Sequence, residues 1–163
     1  MKKLKVLVLA LVLGAGITMG THAIGFGAQF NANASSVFTP GVSLAFSFTH
    51  RVHTAFNWYF GDNTTIGITG DYWIFNPALV KFNSGSFRFH LGAGLYTNII
   101  FADDTDWTGG IRFPVGFNLL VLKDFLEVYI NVAPSVGIQF YPSFAMDKFF
   151  FPIALGARIW LFG

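Results

Sequence analysis

Apolar and polar positions alternate with a period of two along most of the chain beyond residue 23. From Phe87 to Phe101 one face reads Phe87, Phe89, Leu91, Ala93, Leu95, Thr97, Ile99 and Phe101. The other face, from Ser86, reads Ser86, Arg88, His90, Gly92, Gly94, Tyr96, Asn98 and Ile100. Leu126 to Phe140 repeats the pattern, with Val128, Ile130, Val132, Val136 and Ile138 set against Glu127, Tyr129, Asn131, Ser135 and Gln139. Such alternation predicts β-strands. Soluble strands run about five or six residues, whereas a tilted membrane-crossing strand needs about 9–11.

The same period predicts strands at Ile24–Asn31, Gly41–Thr49, Val52–Phe60, Thr65–Ile74, Ser86–Phe101, Gly110–Leu122, Phe125–Phe140 and Phe149–Phe162. Turn-forming residues separate them, among them Pro40-Gly41, Gly61-Asp62-Asn63, Asn83-Ser84-Gly85 and Lys123-Asp124. The expected fold is all-β: a closed antiparallel transmembrane β-barrel of about eight strands, the smallest usual size. No segment after Ala23 has the long apolar run of a membrane helix.

The N-terminus breaks the pattern. Lys2-Lys3-Leu4-Lys5 precedes an apolar stretch from Val6 to about Gly16, and Thr21-His22-Ala23 ends in small residues at cleavage-site spacing. This predicts a signal peptide over 1–23 and a mature barrel over 24–163.

Composition sharpens the picture. Charged residues make up 11% of the chain and aromatics 18%, with 21 Phe and 18 Gly. A soluble domain carries about 25% charged residues, so either this surface meets something other than water or the chain is poorly soluble. There is no Cys, which excludes disulfides and thiolate metal sites. Without Lys2, Lys3 and Lys5 no basic tract remains for nucleic acid.

The positions of the charges test the barrel. Most fall in or beside predicted turns. Asp71, Arg88, Arg112, Glu127 and Arg158 lie within strands, each on the polar face. An Arg facing lipid at the membrane midplane costs roughly 2–4 kcal/mol, so these five are expected inside, as a structural ion network filling the lumen. A hairpin of the fourth and fifth strands would bring Asp71 near Arg88 and His90. Pairing of the last two strands would bring Glu127 or Asn131 near Arg158. A soluble sandwich or lipocalin-like barrel would turn the charged face outward, and that face has too few charges for a wet exterior.

The segments Asn57-Trp58-Tyr59-Phe60-Gly61-Asp62, Thr69-Gly70-Asp71-Tyr72-Trp73-Ile74, Leu91-Gly92-Ala93-Gly94-Leu95-Tyr96 and Val132-Ala133-Pro134-Ser135-Val136-Gly137 resemble an uncharacterised family of small outer-membrane β-barrel proteins of spirochaete-type bacteria. More loosely, the chain is similar to OmpX-, OmpA- and OmpW-like barrels. The resemblance implies an outer-membrane location, outer-membrane lipid as the surrounding partner, the barrel-assembly machinery as a partner during insertion, and no established reaction. Its OmpW-like side implies, as an alternative, binding or passage of a small apolar ligand. Such barrels often end in Phe; here Phe162 is followed by Gly163.

Catalytic and metal chemistry find little support. His50, His53 and His90 are scattered and lack carboxylates at ligand spacing, so no metal site is expected. Ser86 and His90 share a face, with Asp71 across the expected hairpin, but no nucleophile motif accompanies them. A lipid-modifying enzyme is therefore the weakest alternative, and no catalytic residue or cofactor is assigned. Asp104, Asp106, Thr108 and Gly109 look like part of a calcium loop, yet Val115 stands where the closing Glu belongs, so a solvated acidic loop is expected. An even strand number places both termini in the periplasm and the loops at Ala32–Pro40, Gly61–Thr64, Ala102–Gly109 and Tyr141–Lys148 outside the cell. The function expected is that of a non-enzymatic barrel with a structural or surface-interaction role.

Overall fold

The computed structural model describes residues 23–34, 38–146 and 149–161. The signal peptide expected over 1–23 lies outside these residues except for Ala23. Among the described residues there are strands, turns and bends but no helix.

The strands are β1 (Ile24–Ala34), β2 (Phe38–Ser47), β3 (Val52–Tyr59), β4 (Thr64–Phe75), β5 (Ala78–Phe82), β6 (Gly85–Phe101), β7 (Thr105–Arg112), β8 (Val115–Val121), β9 (Leu126–Val132), β10 (Ser135–Tyr141), β11 (Ala145–Met146) and β12 (Phe151–Leu161). Several are halves of one longer stave. β4 and β5 both pair with β6, and β7 and β8 lie end to end along the opposite edge of β6. β9 and β10 continue each other against β8 and β7. β1 pairs with β2 on one side and with β12 on the other, from Ile24↔Leu161 to Ala34↔Phe151. The result is a closed eight-stave antiparallel barrel. Following paired residues once round the wall from Val52 displaces the register by about ten residues, and eight staves with that stagger tilt by roughly 40°.

Each break within a stave has a local cause. Asn76-Pro77 divides β4 from β5, Phe113-Pro114 divides β7 from β8, and Ala133-Pro134 divides β9 from β10. Proline has no N–H to give to the neighbouring stave. Its carbonyl still serves: Phe89 N donates to Pro77 O, Gly92 N to Pro114 O, Phe113 N to Pro134 O and Ala133 N to Pro152 O. The carbonyl of Ala133, which Pro152 cannot reciprocate, accepts instead from Ser135 Oγ at 2.7 Å.

Burial follows the period of two. Along β2, Val42, Leu44 and Phe46 are exposed while Gly41, Ser43, Ala45 and Ser47 are buried. Along β12, Leu155 and Ile159 face out and Arg158 and Trp160 face in. The exterior is therefore apolar and the interior polar, the reverse of a soluble barrel. Trp58, Phe60, Tyr72, Phe125 and Phe140 are exposed on the outer wall. Trp107 is exposed there too, and its indole N–H donates to Thr97 Oγ1 at 2.7 Å, so an outward Trp keeps its donor paired.

Three differences from the expected elements matter below. β7 begins at Thr105, so Asp106 and Thr108 belong to a strand and only residues 102–104 separate it from β6; this removes the calcium-loop geometry. β5 is a strand where a long connection was expected. β1 and β2 run to Ala34 and from Phe38, leaving residues 35–37 between them.

Candidate functional site in the lumen

Hydrophobic pressure on the outer face leaves the five in-strand charges nowhere to go but inward, and Asp71, Arg112, Glu127 and Arg158 are buried or nearly so. Arg158 and Glu127 are directly opposed on β12 and β9. Arg158 Nε lies 2.8 Å from Glu127 Oε2, with side chains 2% and 1% exposed. Glu127 is saturated with donors: Trp160 Nε1 and Asn118 Nδ2 each reach it at 2.8 Å, and Arg158 Nη2 at 3.5 Å. Arg158 Nη1 donates to Ser47 Oγ at 2.6 Å and to His53 Nδ1. Its guanidinium carbon sits 4.3 Å from the ring centre of Tyr129, 5.0 Å from that of Trp73 and 5.6 Å from that of Trp160. Aromatic faces attract a desolvated cation, so this one charge is held by a carboxylate, a hydroxyl, an imidazole and three rings.

That arrangement fixes tautomers. Arg158 can only donate, so His53 Nδ1 accepts and its proton sits on Nε2. Asn118 gives its amide hydrogen to Glu127, leaving its oxygen to accept from His90 Nδ1 at 3.3 Å. The imidazoles are also stacked. Trp73 lies between His53 and His90, with ring centres 3.8 and 3.9 Å away, and His50 packs on Trp160 at 4.1 Å. Histidines scattered in the sequence thus gather at one end of the lumen around two tryptophans. No signal in the periodicity could have shown this, because it depends on which staves adjoin. Among the described residues no three His, Asp or Glu side chains converge as a metal site.

The second ion pair differs from the one expected. Asp71 stands opposite Gly94, not Arg88 or His90. The pairing differs because β5 carries the stave on to the turn at Asn83-Ser84, with register shifts between Trp73 and Phe75 and between Ala78 and Val80. Gly94 is also opposite Arg112 on its other side. Asp71 Oδ1 and Arg112 Nε meet at 3.1 Å across the glycine. A Cβ at position 94 would lie 2.1 Å from Asp71 Oδ1, so this pair exists only because residue 94 has no side chain. Arg88 joins neither pair; its Nε donates to Ser86 Oγ at 3.0 Å. Ser86, His90 and Asp71 therefore form no relay: Ser86 serves Arg88, His90 serves Asn118, and Asp71 serves Arg112.

Toward the other end the lumen carries neutral amides. Tyr129 Oη donates to Gln29 Oε1, Gln29 Nε2 to Asn31 Oδ1, and Ser43 Oγ to Asn57 Oδ1, each at 2.7 Å, while Asn31 Nδ2 donates to Ser43 Oγ. Between the charged and neutral layers lies a cavity with ≈ 20 Å³ open to the centre of a water molecule, bounded by Asp71, Arg112, Tyr129, Asn131 and Arg158 among others. That is room for about one water. Among the described residues the outer rims differ in sign. Asp62, Asp103 and Asp104 are exposed at the loop end, whereas Arg51, Lys81 and Lys123 are exposed at the end that carries β1's start and β12's finish, with Asp124 the exposed acid there.

The fold of the wall has a solved counterpart. The chain is similar to the N-terminal β-barrel domain of Pseudomonas aeruginosa OprF, with a TM-score of 0.55 and 14% sequence identity over 88% of this chain and 100% of that one. The chain has an outer-membrane-type barrel fold. At this identity the likeness concerns the fold, and the ion pairs above are argued from this chain's own residues. No family model matches the sequence, and no curated protein does.

Proposed function

We propose that this protein is a non-enzymatic barrel of the bacterial outer membrane, with both termini in the periplasm and a structural or surface-interaction role. The observation that carries this is the lumen: a closed wall with an apolar exterior encloses two ion pairs and a cavity with room for about one water. A transport path needs space, and a catalytic site needs a nucleophile beside an open cleft. Among the described residues, Ser86, His90 and Asp71 are instead partnered by Arg88, Asn118 and Arg112. Kinship with the spirochaete-type barrel family, cleavage after Ala23 and insertion by the barrel-assembly machinery belong to the same proposal, as does lipid as the surrounding partner.

Fractionation tests location, and planar bilayers test closure. Full-length protein expressed with its leader should fractionate with outer membranes and run faster on gels when unheated. Purified barrel should add no steady conductance to a planar bilayer. Steady channel openings would refute the closed lumen, and recovery in the soluble fraction would refute the location.

A further inference from the structure

Among the described residues, the wall has an open edge at the β5 hairpin. β3 begins at Val52, opposite Tyr72 of β4, and Arg51 O accepts from Trp73 N. Beyond that point the stave continues through Phe75 and β5, and β5 pairs with β6 only. The stretch from Phe75 to Phe82 thus presents backbone groups on its β3 side that no described strand takes up. It carries exposed Leu79, Val80 and Phe82, with exposed Lys81 among them. Hydrocarbon does not tolerate an open strand edge, so this hairpin projects past the membrane-facing wall.

Charge says what fits the edge. Arg51, Lys81 and Lys123 are exposed at this rim. Lys123 N donates to Ser84 O, which sets the neighbouring turn beside the β5–β6 tip. Asp124 is the exposed acid of the rim. A lysine on an edge repels a second copy carrying the same lysine, which disfavours self-pairing and favours an acidic strand.

We propose that the β5 edge is a docking site for an extended polypeptide segment in which acidic and apolar residues alternate, added as a further strand. Main-chain hydrogen bonds would supply affinity, and alternate side chains specificity. Apolar side chains of the segment cover Leu79, Val80 and Phe82; its carboxylates meet Lys81 and Arg51. The partner's periplasmic address rests on the orientation proposed above, but the binding chemistry does not.

The test uses the full mature barrel in lipid nanodiscs and a synthetic ten-residue peptide alternating Glu and Val, read by amide hydrogen exchange. The peptide should slow exchange in the segment 75–82 roughly tenfold, with less effect at higher salt. A peptide alternating Lys and Val should not. K81E should lose the Glu peptide and gain the Lys peptide, and its heat-dependent gel shift checks that it is folded. Equal protection by both peptides, protection by neither, or an edge already protected by lipid alone would overturn the proposal. The chain has no native cysteine, so labelling Lys81→Cys in intact cells with an impermeant maleimide reports separately on orientation. Labelling without opening the cells would refute the periplasmic address and leave the peptide result standing.

Discussion

Glu127 is buried in the lumen and Asp71 nearly so, and each has one arginine partner. Removing one partner of a buried pair strands the other charge, which typically costs about 3–5 kcal/mol. Glu127→Gln is expected to destabilise the barrel in that range, because Arg158, Trp160 and Asn118 all lose a charged acceptor at once. Urea unfolding in lipid vesicles, followed by tryptophan fluorescence, measures it. Unchanged stability would mean that the pair contributes nothing. Gly94→Val should disturb the Asp71–Arg112 contact together with the adjoining β4 backbone, since its Cβ would lie 2.1 Å from Asp71 Oδ1 and 2.5 Å from the Gly70 carbonyl oxygen. A cost of about 1–3 kcal/mol is expected for this overpacking. Both pairs were legible in the sequence only as charges on the inner face. Pairing the last long strands left Arg158 with Glu127 or Asn131 as its neighbour, and the register settles on Glu127. The Asp71 partnership was not legible, because a register error of a few residues exchanges one partner for another.

At the scale of the element, hairpin tips and prolines decide what can be read. The long staves around Phe87–Phe101 and Leu126–Phe140 were visible because alternation survives over many residues. β5 was not, since Pro77 resembles punctuation and Ala78–Phe82 has no polar alternation. The Ser135–Ala133 contact shows how a proline inside the wall is accommodated. Ser135→Ala should cost about 1–2 kcal/mol, because the Ala133 carbonyl loses its donor. Adding Pro152→Ala should recover part of that loss by supplying a backbone N–H, a coupling that a double-mutant cycle detects. Additive costs would contradict it. The turn joining β8 and β9 stores strain of a different kind. Leu122, Lys123 and Asp124 all have positive φ, at 56°, 58° and 65°. A left-handed conformation costs an ordinary residue about 1–2 kcal/mol, so Lys123→Gly is expected to stabilise the barrel by about 1 kcal/mol in the same unfolding assay. A loss of stability would mean that the side chain of Lys123 contributes more than its backbone costs.

For the whole molecule, the barrel inverts the usual arrangement of a soluble protein. Its fold was readable because an outer-membrane-type barrel imposes a simple rule on every strand: apolar side chains out, ionised ones in. Its activity was not readable, because the inner face of a small barrel must be filled whatever the protein does. The histidine–tryptophan stack illustrates the limit. His50, His53 and His90 come from separate staves and turns, and nothing in their spacing announced that Trp73 and Trp160 would gather them. The chain's lack of cysteine makes the sidedness open to a direct measurement. Single cysteines placed one at a time from Phe87 to Phe101 and spin-labelled in lipid vesicles should show oxygen accessibility with a period of two, high at Leu91, Leu95 and Ile99 and low at His90, Tyr96 and Asn98. The opposite phase, or a period near 3.6, would contradict a barrel that turns its greasy face to lipid.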